Sequence, residues 1–139
     1  MSDQTTPITG GCLCGAVRYR VNGKPIWVPH CHCSMCKRTS GSAFLTLVGF
    51  PHNQIEWLGE EPTVYRSSEI GTRNFCSRCG SSIYATFSFP PDEVWLTVGT
   101  LDDPSTVKPE AHVYCDDMVP WLKIDDDLPR HPSSLRFPR

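Results

Sequence analysis

The chain has 139 residues and a formal net charge of −2, so it suits a single domain and lacks the basic surplus typical of nucleic-acid-binding proteins. No stretch approaches the length of a membrane span, and the N-terminus has neither the basic segment nor the apolar run of a signal peptide. We therefore expect a cytoplasmic protein without nucleic-acid or membrane partners, with its oligomeric state left open. Eight cysteines in a reducing compartment favour metal binding over disulfides.

Turn-forming residues are frequent, with 10 glycines and 13 prolines, and they predict short strands rather than long helices. No internal repeat or linker divides the chain. We interpret residues 1–8 as a flexible leader, 9–130 as one mainly β domain with short helical turns, and 131–139 as a polar tail.

In chain order, residues 17–21 alternate between apolar and basic side chains, which predicts a half-buried strand. Asn22-Gly23 follows, a pair that favours a hairpin turn. Residues 33–40 do not alternate, and we interpret them as a loop leading into a short helix that ends at Gly41.

Residues 43–50 are almost continuously apolar, which predicts a strand buried on both faces. Further strands are predicted at 63–67, 83–89 and 94–100, with prolines marking the turns between them.

Seven of the cysteines fall into three short clusters, and thiolates one or two residues apart can reach the same ion. The clusters are Cys12 and Cys14; Cys31, Cys33 and Cys36; Cys76 and Cys79. The first and third clusters both end in Cys-Gly, and a glycine there can take a positive φ that turns backbone N–H groups toward the sulfurs. Pairing these two clusters gives a zinc ion four sulfur ligands, which is typical of a closed, structural site.

The middle cluster offers three thiolates within six residues. Three protein ligands and an exchangeable fourth position are typical of a catalytic zinc, and such a site would bind and activate an incoming thiol. The alternative is a second closed site completed by a histidine, for which His30, His32 and His112 are candidates.

Three motifs together make the sequence recognisable: GCLCGAVRY at 11–19, CHCSMCKR at 31–38 and FCSRCG at 75–80. They resemble the glutathione-dependent formaldehyde-activating enzyme family, which includes centromere protein V-like domains. SGSAF at 40–44, HVY at 112–114 and PW at 120–121 extend the resemblance over roughly residues 9–129.

The resemblance implies a mainly β, Mss4-like (β-tent) fold stapled by two zinc ions. It implies a structural zinc on Cys12, Cys14, Cys76 and Cys79, and a catalytic zinc on Cys31, Cys33 and Cys36. The implied activity is carbon–sulfur lyase chemistry on a small thiol or its aldehyde adduct, such as condensation of glutathione with formaldehyde to S-hydroxymethylglutathione. The alternatives are a non-catalytic zinc-binding interaction module and a thiol or redox sensor.

Four cationic residues near the clusters could pair with substrate carboxylates: Lys37, Arg38, Arg73 and Arg78. For Arg78, which lies inside a Cys-x-x-Cys motif, we favour a solvent-facing or charge-balancing role. Cys115 stands outside the clusters and is interpreted as a small buried hydrophobe. His112 is interpreted as a hydrogen-bonded core histidine.

Overall fold

Residues 6–88 and 91–134 are described in the computed structural model, and they form ten short strands and one α-helix. The strands are Ile8–Gly11 (β1), Arg18–Val21 (β2), Pro29–Cys31 (β3), Leu45–Pro51 (β4), Ile55–Trp57 (β5), Thr63–Arg66 (β6), Gly71–Phe75 (β7), Ser82–Phe87 (β8), Glu93–Thr97 (β9) and Ala111–Val113 (β10). The helix is Ser34–Ser40 (α1). Within the described ranges, no helix has the length and apolar character needed to cross a membrane.

The strands form a three-stranded sheet, in the order β1-β2-β5, and a seven-stranded sheet, in the order β10-β3-β4-β9-β8-β7-β6. Neighbouring strands pair antiparallel, apart from the parallel pair β3 and β10. The mainly β fold expected from the sequence is confirmed.

Strand β4 lies inside the larger sheet, and its residues from Thr46 to Phe50 are buried. Gly49 faces the ring of Trp95 on β9 so closely that a Cβ at this position would collide with the indole. The continuous apolar run therefore predicted burial on both faces correctly.

The hairpin predicted at Asn22-Gly23 is wrong. Strand β2 pairs with β1 and β5, and after Gly23 the chain leaves this sheet to begin β3 in the other sheet. The Asn22 N–H donates to the Gln54 carbonyl at 3.0 Å, so this turn is hydrogen-bonded to the segment that connects β4 and β5. Gly23 still needs its positive φ of 99° to make the bend.

The strand predicted at 94–100 ends at Thr97, because Val98–Thr100 form a 3-10 turn that the Leu101 N–H closes by donating to the Val98 carbonyl at 3.1 Å. The Thr100 hydroxyl also donates to the Thr97 carbonyl, at 2.8 Å. The strand predicted at 83–89 is β8, and Phe89 lies outside the described residues.

Two hydrophobic clusters make up the core, and each contains cysteines. One cluster, which includes Tyr19 and Phe50, packs around Cys12 and Cys76. The other includes Leu47 and Trp95 and packs around Cys31, Cys33 and Cys36. Each group of predicted metal ligands is therefore anchored in its own part of the core.

The predicted leader and tail lie partly outside the described residues. Strand β1 begins at Ile8, inside the predicted leader. The His131 N–H donates to the His112 carbonyl at 2.9 Å, which holds the start of the predicted tail against β10.

Candidate metal centres

The cluster of Cys12, Cys14, Cys76 and Cys79, the four-cysteine cluster, joins the two sheets. Two of its residues follow β1 in the small sheet, and two follow β7 in the large sheet. Its four sulfurs all lie within 4.8 Å of one another. The Sγ–Sγ distances are 3.6 Å between Cys12 and Cys14 and 3.8 Å between Cys14 and Cys76. Sulfurs bound tetrahedrally at about 2.3 Å from zinc are about 3.8 Å apart, so this spacing suits one shared ion.

Both turns of the four-cysteine cluster have the curl that the Cys-Gly pattern predicted. Gly15 has a φ of 86° and Gly80 a φ of 80°. Their N–H groups donate to the carbonyls of Cys12 and Cys76 at 3.2 and 2.8 Å. The Val17 N–H donates to the Cys12 sulfur at 3.2 Å, which favours a thiolate there.

Ser81 links the two turns. Its hydroxyl accepts the Leu13 N–H at 3.0 Å and lies 3.2 Å from the Cys79 sulfur. Hydrogen bonds from the Ser81 side chain and backbone lower the pKa of Cys79 to about 5, which favours the thiolate that a metal requires.

The second group, Cys31, Cys33 and Cys36, is the three-cysteine cluster, and its sulfurs also lie within 4.8 Å of one another. Cys31 ends β3, Cys33 caps α1, and Cys36 lies in the helix. The Cys36 N–H donates to the Cys33 sulfur at 3.3 Å. Gly41 ends the helix with a φ of 69°, as predicted.

The three-cysteine cluster is deeply buried, with each cysteine at most 3% exposed. Among the described residues, no histidine joins it. His30 and His32 alternate with Cys31 and Cys33 along the extended chain, which turns their side chains to the other face. The cluster therefore offers three protein ligands, as the open form of the site requires.

Arg73 on β7 is the charged neighbour of the three-cysteine cluster. Its Nη1 lies 3.7 Å from the Cys36 sulfur, and the residue is 9% exposed. Hydrogen bonds from Cys31 and Cys36, aided by the charge of Arg73, lower the pKa of Cys33.

A cavity of about 210 Å³ lies near both cysteine clusters. Its lining includes Gly80, which follows Cys79, and Arg73, which contacts Cys36. Thr39, Asn74 and Tyr84 add polar groups, and Arg73 is the one charged residue among the described residues that line it. Patterns in the sequence do not reveal this cavity, because its walls come from α1, β4, β7, β8 and β9.

The other cationic candidates are engaged elsewhere or exposed. Lys37 donates from Nζ to the Asp117 carbonyl at 2.6 Å, and Arg78 forms an exposed ion pair with Glu60 at 2.8 Å. Arg38 is exposed. Cys115 belongs to neither cluster, and burial raises the pKa of its thiol.

Sequence reasoning missed a network of histidines and an aspartate at β3 and β10, in which His32 and His112 are fully buried. His112 Nε2 donates to the Asp126 carboxylate at 2.9 Å, and this hydrogen bond lowers the pKa of Asp126 to about 2. His112 Nδ1 lies 2.9 Å from His32 Nε2, within hydrogen-bond distance. His112 is therefore the hydrogen-bonded core histidine that was expected.

One atom each from His30, His112 and Asp126 lie within 4.8 Å of one another, a spacing that a metal could also use. Both Asp126 oxygens are already bound, since Oδ1 accepts from Arg130 at 3.0 Å and Oδ2 contacts His112. We interpret this group as the anchor of the C-terminal segment on β10. Asp126 lies in the acidic run at 125–127, and nothing in that run predicts its contact with His112.

Comparison with known proteins gives these clusters a family context. The profile of the glutathione-dependent formaldehyde-activating enzyme family matches residues 7–117. A Halomonas elongata protein that carries this enzyme name provisionally is 28% identical over 127 residues, covering 85% of this chain and 81% of its own. An uncharacterized lyase of Schizosaccharomyces pombe is 26% identical over 110 residues, covering 78% of each chain.

The crystal structure of a Rhodobacter sphaeroides protein superposes with a TM-score of 0.60 at 19% identity, covering 88% of this chain and 98% of that one. This similarity concerns the fold. The profile match spans most of the chain and includes both cysteine clusters, so the chain belongs to the glutathione-dependent formaldehyde-activating enzyme family.

Proposed function

We propose that the protein is a zinc-dependent enzyme of the carbon–sulfur lyase type that acts on a small thiol and its aldehyde adduct. The reaction we favour joins glutathione to formaldehyde as S-hydroxymethylglutathione, in line with the family and with the names of its relatives. The observation that carries this proposal is a cluster of three cysteines with no fourth protein ligand among the described residues, near a cavity that Arg73, a neighbour of Cys36, helps to line.

The donor atoms fit zinc. Sulfur-rich sets select thiophilic metals, and the Sγ–Sγ distances of 3.6 and 3.8 Å in the four-cysteine cluster match a tetrahedral edge. We assign a structural zinc to Cys12, Cys14, Cys76 and Cys79, and a catalytic zinc to Cys31, Cys33 and Cys36. Zinc bound by three thiolates leaves one position for an exchangeable ligand.

Zinc in the three-cysteine cluster would supply a Lewis acid that favours the thiolate form of an incoming thiol. The chain's own contribution is to hold the three sulfurs rigidly. Strand β3 fixes Cys31, and the first turn of α1 fixes Cys33 and Cys36 through the hydrogen bond between them. Burial of this cluster keeps bulk water away and strengthens electrostatic contacts at the site.

Calorimetric titration of the zinc-loaded protein with glutathione tests the proposal, together with the rate of S-hydroxymethylglutathione formation measured by NMR exchange. We expect one glutathione to bind per chain, and adduct formation to exceed the uncatalysed rate. A loaded protein that binds neither glutathione nor smaller thiols would refute the enzyme and favour a non-catalytic zinc module.

A further inference from the structure

Arg73 is buried and forms no ion pair with a carboxylate among the described residues, so its charged neighbours are the sulfurs of the three-cysteine cluster. Its Nε is buried and has no hydrogen-bond partner among those residues. Buried donors are almost always satisfied in folded proteins. A donor left free in the wall of a cavity therefore points to an acceptor that a ligand supplies.

The position of Arg73 narrows the identity of this acceptor. Nη1 lies 3.7 Å from the Cys36 sulfur, so the guanidinium lies at the boundary between the three-cysteine cluster and the cavity. The Phe87 ring, with its centroid 5.9 Å from Cζ, covers part of the guanidinium. An acceptor bound by Arg73 therefore lies next to the sulfur chemistry.

We propose that Arg73 is a catalytic residue that binds the oxygen of the aldehyde as the carbon–sulfur bond forms and breaks. This inference rests on the function proposed above and names the group that stabilises the charge on oxygen. In the adduct, one carbon separates that oxygen from the substrate sulfur. A guanidinium that already contacts a cysteine of the cluster is well placed to reach it.

The step balances without a further reactant apart from water. The substrate thiol has released its proton to water, and a lone pair of the thiolate sulfur forms the new bond to the carbonyl carbon. The π pair of the carbonyl moves to its oxygen, which becomes an alkoxide hydrogen-bonded to Arg73. The alkoxide then takes a proton from water and becomes the hydroxymethyl group, and cleavage follows the reverse path.

The carboxylates of glutathione are a poorer match for Arg73 than the aldehyde oxygen. The cavity of about 210 Å³ is smaller than the roughly 300 Å³ at which pockets for whole ligands begin, so it suits the reacting end of the tripeptide. A carboxylate of the terminal glycine or the glutamyl group lies many bonds from the sulfur.

Two substitutions test the proposal: Arg73→Gln removes the charge, and Arg73→Lys keeps the charge but loses the fork of donors. We expect Arg73→Gln to lower kcat by about 10²–10³, as loss of an oxyanion donor does, and Arg73→Lys to recover part of the rate. Glutathione affinity by calorimetry and zinc content should both stay within about threefold of the wild type. The control is Arg66→Gln, which changes an exposed arginine on the neighbouring strand β6 and should leave kcat at the wild-type value.

A kcat for Arg73→Gln within about threefold of the wild type would overturn the inference while leaving the enzyme intact. A loss confined to glutathione affinity would assign Arg73 to a carboxylate instead, and a loss confined to zinc content would assign it to holding the metal. Failure of the zinc-loaded wild-type protein to bind either glutathione or smaller thiols would instead refute the proposed function itself.

Discussion

The two cysteine clusters use the same ligand atom but are built in opposite ways. The four-cysteine cluster brings together turns from two sheets, and Cys14 and Cys76 lie 62 positions apart in the chain. The three-cysteine cluster comes from one strand end and one helical turn. Cys14 in the first cluster is exposed, whereas each member of the second is nearly inaccessible to solvent.

Under the proposed function, the exposure of the cysteines does not identify the reactive cluster. The four-cysteine cluster is closer to solvent, but its four sulfurs would fill every position of the tetrahedral zinc that we propose there. The three-cysteine cluster is buried, but it has no fourth ligand among the described residues, and Arg73, which contacts Cys36, lines a nearby cavity. A metal held by ligands from distant parts of the chain is suited to stabilising the fold. A metal held by ligands from one short segment can be lost without unfolding the chain.

The largest effect should come from Cys36→Ser, which removes a ligand from the three-cysteine cluster. We expect the catalysed rate of adduct formation to fall at least about a thousandfold, because the Lewis acid contributes several kcal/mol to such chemistry. NMR exchange between glutathione, formaldehyde and their adduct measures the rate. Cys115→Ser, outside both clusters, is the control, and a variant Cys36→Ser that kept the wild-type rate would exclude this cluster from catalysis.

The second effect is on stability and concerns the other cluster. We expect Cys76→Ser to destabilise the fold by about 4 kcal/mol, because it opens the ligand set that joins the sheets. For a chain of this size, that corresponds to a drop in Tm on the order of 15 °C, measured by circular dichroism. An equal drop in Cys36→Ser would remove the distinction between a structural and a reactive cluster.

A smaller effect is expected at two glycines, one in each region. Gly80→Ala and Gly41→Ala both place a Cβ in open space, so the cost is the positive φ alone, about 1–2 kcal/mol each. Both variants should lose a few degrees in Tm. Gly80→Ala should also release zinc to a chelator faster than Gly41→Ala, since Gly80 shapes the turn that holds Cys76 and Cys79. Equal release rates would show that the turn does not control metal retention.

The smallest effect tests whether polar contacts also hold the sheets together. Asp102 Oδ2 accepts a hydrogen bond from Nη2 of Arg18 on β2 at 2.6 Å, and about two fifths of each side chain is exposed. Solvent screens such a pair, so Asp102→Asn should cost less than about 1 kcal/mol in urea unfolding. A loss of stability comparable to that of Cys76→Ser would show that this ion pair holds the sheets together as strongly as the four-cysteine cluster does.

The local chemistry of the sequence predicted the local parts of both clusters. Cys-Gly pairs predicted the positive φ of Gly15 and Gly80, and Gly41 predicted the end of α1. These features depend on the backbone freedom of single residues, and such signals can be interpreted without a fold.

Features that depend on the fold escaped prediction. Asn22-Gly23 has the composition of a hairpin turn, but β2 pairs with the preceding strand β1 and with β5, which lies far along the chain. The position of Arg73 beside Cys36 depends on how β7 packs against α1, and no residue near Arg73 in the sequence signals it. Long-range pairing of this kind is set by the packing of the whole sheet.

The most direct test of the account counts zinc ions per folded chain by native mass spectrometry, on the wild type and on Cys36→Ser, with circular dichroism on the same samples. The account predicts two ions in the wild type, one in Cys36→Ser, and the same β-sheet spectrum for both. A Cys36→Ser chain that loses both ions, or loses its fold with the first, would contradict the claim that the protein has two unlike zinc sites.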